Sequence, residues 1–496
     1  MRRASAASAQ SAPDWYEDSI LLDLVTLLHS NLMADVEIDY IAGIQRFDSL
    51  IKAMFPDSVV PYFSMCSGTG IDSRVHRALS KYWERQYGVS FRWQDVGVCE
   101  RNEKKQKWLR AQHVDLSCLV HDLSEMAEHV VKNILDPDHH CFEGFPYVFD
   151  GGAGWPCTSL TSLNANSKDN VGSVQEESSE SGRAFALVRQ AVITHCPELF
   201  TMENVCNVLK VGASGLSDAE WVRRSMMELG YWCLFFVLSN RDYGSLPERM
   251  RVWWVCAKNL KGAVDEIDRF FMSIITGAKV RTGEEIIDRS RYLFMEPKAR
   301  KAICRKLRIP TVIGTGPRKS KTEEKDDPGW RTSCLDMFEL FGIPWPPCFD
   351  DKQYKHISTE GLLPREAFTC LLYDQAFPLQ DDMEFLDLNP KVERVIMSPR
   401  HFEELTEQEL KKPPDNAVIK GRAKINHTPW HSHPGTIVGG TTLLVRTRSP
   451  RRTRALEHLE YMSMMGWCPA QWERESPDPS ASQDAQALHF VFVCRV

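Results

Sequence analysis

The sequence predicts a doubly wound α/β sheet with mostly parallel strands, and three observations carry that prediction. Between Ser58 and Lys258, short apolar runs alternate with helical stretches, the pattern of βαβ units. The first run leads into a turn of small residues, Ser67-Gly68-Thr69-Gly70, ahead of a helix. The second run ends on an acid, Glu100. A glycine turn after one strand and an acid at the end of the next are how such sheets bring backbone and carboxylate to a nucleotide-like ligand. Plain turn-forming glycine is the commoner use of such residues, so the turn and the acid leave both readings open.

Taken in order, Asp14 to Phe55 carries Leu21, Leu22, Leu24, Val25 and Leu28 at helical spacing, which predicts a helical lead-in. Ser58 to Met65 reads as a buried strand, and the helix after its turn runs through Val75, Leu79 and Trp83. Asp95 to Cys99 is the second strand, followed by a charged helix with Trp108 and Leu109. A third strand ends near Val120 to Leu123, and a fourth, Tyr147 to Phe149, runs into Asp150-Gly151-Gly152. Asn164 to Gly182 is polar and nearly free of apolar residues, which predicts a mobile loop. Ala184 to Ile193 reads as a helix and Leu199 to Met202 as a short strand. Tyr231 to Leu238 and Val252 to Cys256 read as two strands joined by a turn containing Gly and Pro.

At 496 residues and 43% hydrophobic content, the chain buries a large core and is too long for one compact domain. The expected division is an N-terminal extension over 1–55, an α/β domain over 56–261, an irregular lobe over 262–421, and a segment over 422–496 that returns to the α/β domain. The net charge of -7 argues against a uniformly basic coat, although it permits a local basic cleft. The fifteen cysteines follow no recurring spacing, which points to a reducing compartment rather than a disulfide framework. No apolar run approaches the roughly 20 residues that span a bilayer, so no membrane partner is expected. The start of the chain has Arg2 and Arg3 and no acid before Asp14; a disordered tail is the plainer reading, with an organellar leader left open. His427, His431 and His433, and the run His139-His140-Cys141, lack the spacing of metal ligands, and no metal is expected.

Three further segments carry candidate chemistry. Cys157, in Gly154-Trp155-Pro156-Cys157, stands beyond the fourth strand at the carboxyl edge where open α/β sheets bind ligands. A single cysteine is ordinarily an inert core residue, but Gly and Pro flanks are not those of a core run. A thiolate there is a candidate nucleophile. Glu203, in Glu203-Asn204-Val205, follows another strand and belongs to the same edge, as a catalytic acid or a helix-capping one. Arg249 and Arg251 alternate at the start of an apolar strand and share a face, where they grip an anion or end the strand in solvent.

In this order and spacing, the segments resemble the AdoMet-dependent cytosine-C5 DNA methyltransferase family across nearly the whole α/β unit. Cys66-Ser67-Gly68-Thr69-Gly70 is similar to its Phe-Ser-Gly-x-Gly cofactor turn, and Gly154-Trp155-Pro156-Cys157 to its Gly-x-Pro-Cys nucleophile motif. Glu203-Asn204-Val205 matches its Glu-Asn-Val motif. Asn240-Arg241-Asp242-Tyr243-Gly244 with Arg249-Met250-Arg251 resembles its Asn-x-x-Asp-Tyr-Gly and Arg-x-Arg stretch. Departures are Thr158 after the nucleophile, Pro247 ahead of the Arg pair, and no visible Gly-Asn-x-Val motif after Trp467.

The resemblance implies a Rossmann-like class I AdoMet methyltransferase domain with the lobe over 262–421 reading the target. It implies methyl transfer from S-adenosylmethionine to C5 of cytosine in DNA, with Cys157, Glu203, Arg249 and Arg251 catalytic. It assigns cofactor contacts to Cys66, Ser67, Gly68, Thr69, Gly70, Glu100, Arg101, Asp122 and Pro156. A target inside a duplex must be flipped out, and the loop over 164–182 is placed to close on it. The nucleus is the expected compartment, with other chromatin or methylation proteins as further partners. The alternatives are a tRNA substrate, whose Cys-Phe-Thr signature the lobe lacks, and an inactive relative that acts as a binding scaffold.

Overall fold

A computed structural model of the chain describes residues 40–55, 57–68, 70–112, 116–143, 145, 148–156, 160, 170–243, 249–258, 260, 263–277, 355–358, 362, 364–388, 430, 434, 443–449, 451–456, 460–461 and 464. Contacts divide these residues into two units. The first takes the described residues from 40 to 243 and from 250 to 277; Arg249 and the described residues from 355 onward group in the second.

In the first unit, α1 (Tyr40–Met54) buries Ile44 and Ile51, two turns apart on one face, and leaves Leu50 and Met54 exposed. Its Asp48 carboxylate accepts the backbone N–H groups of Ser90 and Phe91 at 3.0 and 3.3 Å, which ties the helix to the start of β2. Then follow β1 (Val59–Met65), α2 (Ile71–Tyr87), β2 (Arg92–Cys99), α3 (Glu103–Gln112), β3 (Leu119–Val120) and β4 (Asp150–Ala153). Next come α4 (Glu180–His195), β5 (Leu199–Val205), α5 (Asp218–Glu228), β6 (Trp232–Ser239), β7 (Met250–Ala257) and α6 (Val264–Gly277).

The strands form one seven-stranded sheet in the order β3-β2-β1-β4-β5-β7-β6. Strands β1 to β5 are parallel, whereas β7 is antiparallel to both of its neighbours. This is the Rossmann-like order with one reversed strand inserted next to the sixth. The carboxyl ends of β1 to β5 and the amino end of β7 therefore share one edge of the sheet. Alternate residues of β1 face opposite layers: Val60 packs with Ile44, Ile51 and Phe91, while Phe63 and Met65 pack with Phe185, Val188 and Phe200. Among the described residues, no helix is long and apolar enough to cross a membrane.

Three elements differ from the sequence prediction. The fourth strand is Asp150–Ala153 rather than 147–149, so its two glycines lie within the strand and not in a turn after it. The reason is crowding from the neighbouring strands. A Cβ on Gly151 would sit 2.6 Å from the Phe63 ring, and one on Gly152 would sit 2.7 Å from the Tyr62 hydroxyl. The strand predicted to stop at Met202 continues to Val205, which puts Glu203 inside it. The expected mobile loop over 164–182 lies partly outside the described residues, and its described part is built. Ser173–Gln175 form a 3-10 turn, Ser179 caps α4 by accepting the Gly182 N–H, and Ser181 and Gly182 are buried. In addition, Cys118 and Cys141 are joined as a disulfide where free thiols were expected; their Cα atoms lie 5.3 Å apart.

Under α2 lies a buried polar cluster. Asp72 accepts the hydroxyls of Tyr62, at 2.8 Å, and Ser64, while His76 Nε2 approaches Asp150 Oδ2 at 3.6 Å. Burial pushes the Asp150 carboxyl up from 3.8 to about 7. Burial, aided by Arg77, pushes His76 down from 6.5 to about 3. Between pH 3.8 and 6.5 the folded chain holds the Asp150 proton and the unfolded chain holds the His76 proton. The first group favours folding as pH falls and the second as pH rises, so the two dependences cancel. Asp150→Asn removes one of them. The variant is expected to lose stability relative to the parent by about 1.4 kcal/mol per unit as pH falls from 6.5 towards 4, checked by urea unfolding across that range.

In the second unit, α7 (Pro364–Ala376) accompanies a three-stranded antiparallel sheet, β8 (Met383–Asp387), β9 (Leu443–Thr447) and β10 (Arg452–Ala455), with β9 central. The boundary drawn at residue 421 thus falls between two strands that pair with each other. Leu371, Leu386, Trp430 and Leu444 form its core, and Arg446 pairs with Glu384 inside it.

Candidate active site

The turn after β1 is shaped by left-handed backbone at Cys66, Gly68 and Gly70, with φ of 56°, 61° and 73°. Such angles suit glycine, and at Cys66 they are unusual. The turn is closed by hydrogen bonds from the Gly70 N–H to the Ser67 carbonyl and from the Ser67 N–H to the Cys99 carbonyl, both 2.9 Å. The Glu100 carboxylate lies buried beside it. Its Oε2 accepts the Gly68 N–H at 2.8 Å and its Oε1 accepts the Asn102 N–H at 2.9 Å. Thus β1 and β2 present an acid and a glycine backbone at one place on the edge. Thr69 lies outside the described residues.

Past β3, Asp122 Oδ1 accepts the backbone N–H and the hydroxyl of Ser124 at 2.9 and 2.7 Å. The Ser124 N–H, assisted by its hydroxyl and by the charge of Arg101, holds the Asp122 carboxyl below its usual range. Arg101 itself is exposed.

On the other side of β1, the ends of β4, β5 and β7 converge. Arg251 Nε donates to Glu203 Oε1 at 2.8 Å, and both side chains are largely buried, at 13% and 19% exposure. The register explains the pair: Val205 lies opposite Arg251, so Glu203 and Arg251 are diagonal neighbours on adjacent strands. Gly154, the first residue after β4, lies against the same carboxylate; a Cβ there would be 3.6 Å from Glu203 Oε2. Trp155 follows, buried between Phe185 and Trp254 at ring-centroid distances of 5.4 and 5.5 Å. Pro156 is half-buried. Cys157 lies outside the described residues. Arg249, just ahead of β7, is half-buried and groups with the second unit.

The structure thus brings Glu203, Arg251 and the Gly154-Trp155-Pro156 stretch together, and separately joins the Cys66 to Gly70 turn to Glu100. It also adds residues that the sequence did not single out. Cys206 stands within electrostatic reach of Glu203 and Arg251; burial pushes its thiol up, against the pull of the Arg251 charge. Ser181 and Asn207 hydrogen-bond to the loop after β4. For Cys206 and Asn207 the signal in the sequence was proximity, since they follow Glu203-Asn204-Val205 directly; Ser181 had none. A largely buried carboxylate paired with a guanidinium beside a glycine can hold a planar polar ring and offset charge on it.

Among the described residues, no group of His, Cys, Asp or Glu is arranged to hold a metal ion. No protein-family profile matches the chain, and neither does any curated protein. Solved structures do show a likeness. A protein assigned as a DNA modification methyltransferase encoded within a prophage (E. coli) is 14% identical with a TM-score of 0.30, over 48% of this chain and 55% of that one. The Dnmt2 methyltransferase of S. pombe is 13% identical with a TM-score of 0.32, over 63% of this chain and 93% of that one. The chain therefore spans about half the length of the first, and likenesses of this size do not assign a function.

Proposed function

We propose that the chain is an AdoMet-dependent cytosine-C5 methyltransferase acting on DNA, with Cys157 as its covalent nucleophile. The observation that carries this reading is the Glu203–Arg251 pair at the carboxyl edge of the sheet, with Gly154 against its carboxylate. Pro156, two residues on, carries the peptide bond to Cys157, so the motif that supplies the thiol starts beside the pair.

The residues around the first turn fit the cofactor. Gly68 and Gly70 keep side chains out of the turn, and the buried Glu100 carboxylate stands against the Gly68 backbone at the end of β2, an acceptor suited to ribose hydroxyls. Cys66 to Gly70, Glu100, Arg101, Asp122 and Pro156 would hold AdoMet, which when bound supplies the methyl electrophile that C5 takes up. The rest of the chemistry belongs to the chain. C5 of cytosine is a weak nucleophile, so the Cys157 thiolate adds to C6 and pushes electron density onto C5. Glu203 holds N3 and the exocyclic amine and favours the protonated ring, while Arg251, with Arg249, offsets the developing charge. Loss of the C5 proton then expels Cys157 and restores the enzyme.

The test is methyl transfer from labelled AdoMet to duplex DNA and to tRNA in parallel. Label in DNA is expected. Label in tRNA alone would move the substrate to RNA, and label in neither, with no AdoMet binding, would make the chain a binding scaffold.

A further inference from the structure

The backbone carbonyls of Pro156 and Leu160, which flank residues 157–159 in the sequence, each accept a side-chain hydrogen bond from another element. Ser181 Oγ, fully buried in the first turn of α4, donates to the Pro156 carbonyl at 3.0 Å. Asn207 Nδ2, just past β5, donates to the Leu160 carbonyl at 2.5 Å. The Pro156 carbonyl belongs to the peptide unit that ends at the Cys157 nitrogen. Its direction is therefore set by Ser181, and only three residues separate the two pinned carbonyls.

Ser181 is itself fixed by the packing below it. Gly182 lies so close to the turn over 173–176 that a Cβ would come within 2.0 Å of the Glu176 carbonyl. Ser179 accepts the Gly182 N–H at 2.8 Å and donates to the Ser173 carbonyl at 2.5 Å. The buried Asp218 carboxylate accepts Gln175 Nε2 at 3.2 Å and ties the same turn to α5. Asn207 stands in the 3-10 turn Cys206–Leu209, which directly follows the strand that carries Glu203.

We propose that Ser181 and Asn207 are positioning residues, a two-point clasp on the Pro156 and Leu160 carbonyls that flank the segment carrying the nucleophile. This rests on the reading of Cys157 as the nucleophile. Neither residue touches the reacting atoms; each acts through a backbone carbonyl next to the thiol-bearing segment. A loop preset in this way meets the ring without a search, and loosening it costs rate rather than affinity.

The experiment compares Ser181→Ala, Asn207→Ala and the double variant with the parent, in the full chain. The first readout is the rate of covalent adduct formation on duplex DNA containing 5-fluorocytosine, measured beside the dissociation constant for AdoMet. Adduct formation is expected to slow about ten- to hundred-fold with AdoMet affinity unchanged, and the double variant to be little worse than the worse single one. The second readout is hydrogen exchange of peptides covering 157–161, expected to quicken in each variant while α4 and β5 keep their protection. Folded variants with parental adduct rates overturn the proposal. If the parent itself forms no adduct, the nucleophile reading fails separately, and unchanged exchange at 157–161 then overturns the clasp.

Discussion

Arg446→Ala is expected to cost the second unit about 3–5 kcal/mol, because it leaves a carboxylate buried without its counter-charge. Arg446 and Glu384 are both 3% exposed, with Arg446 Nε and Nη2 at 2.7 and 2.5 Å from Glu384 Oε2. The guanidinium also donates to the Phe377 carbonyl at 2.7 Å and stacks 4.2 Å above the Trp430 ring. Burial lowers the Arg446 pKa, and the pairing with Glu384 resists that shift. Glu384 keeps the N–H groups of Gln380 and Asp381 at 2.8 and 2.9 Å. For that reason Arg446→Met with Glu384→Gln should recover much of the loss: it retains those acceptors and removes both charges. Hydrogen exchange of peptides from β8 and β9 measures the effect locally. Retained protection in Arg446→Ala would show that the pair does not hold the sheet together.

The second large effect is at Glu203. Glu203→Gln keeps the shape of the side chain but removes its charge and, on the proposed reading, its hold on the protonated ring. Turnover is expected to fall about 10²- to 10⁴-fold at unchanged AdoMet affinity. A partner effect separates the electrostatic role from a general disturbance. Burial raises the Cys206 thiol pKa, Arg251 lowers it and Glu203 adds to the rise, so removing the carboxylate charge shifts the balance downward. Alkylation of Cys206 at a fixed pH should then quicken, as mapped by mass spectrometry. Slower or unchanged alkylation would mean that the pair is disrupted rather than neutralised on one side.

Much of this architecture was legible because most strands of the first unit, β4 excepted, contain a short apolar run, and periodicity reports that directly. The turn at Ser67 to Gly70 and the acid at Glu100 were legible as residue types at element ends, and the structure puts them 2.8 Å apart. What stayed hidden depended on neighbours distant in sequence. Gly151 and Gly152 look like a turn until Phe63 and Tyr62 occupy the space above them. Glu203 looks like a residue after a strand because Met202 is the last apolar position before it, yet pairing with β7 extends the strand to Val205. Gly182 reads as the end of a loose polar loop, although contact with the Glu176 carbonyl makes it part of a packed turn. In the second unit β8 and β9 pair across more than fifty residues, and no local pattern announces such a partner. The Cys118–Cys141 bridge was hidden for the same reason.

On the proposed reading, a thiolate at Cys157, three residues past Gly154, attacks the ring. That attack is tested most directly by incubating the chain with AdoMet and duplex DNA containing 5-fluorocytosine, then digesting the product and mapping the covalent adduct. Fluorine at C5 blocks the release step, so a stable adduct is expected on the peptide containing Cys157, lost in Cys157→Ser. An adduct on any other cysteine, or one that persists in Cys157→Ser, would contradict it.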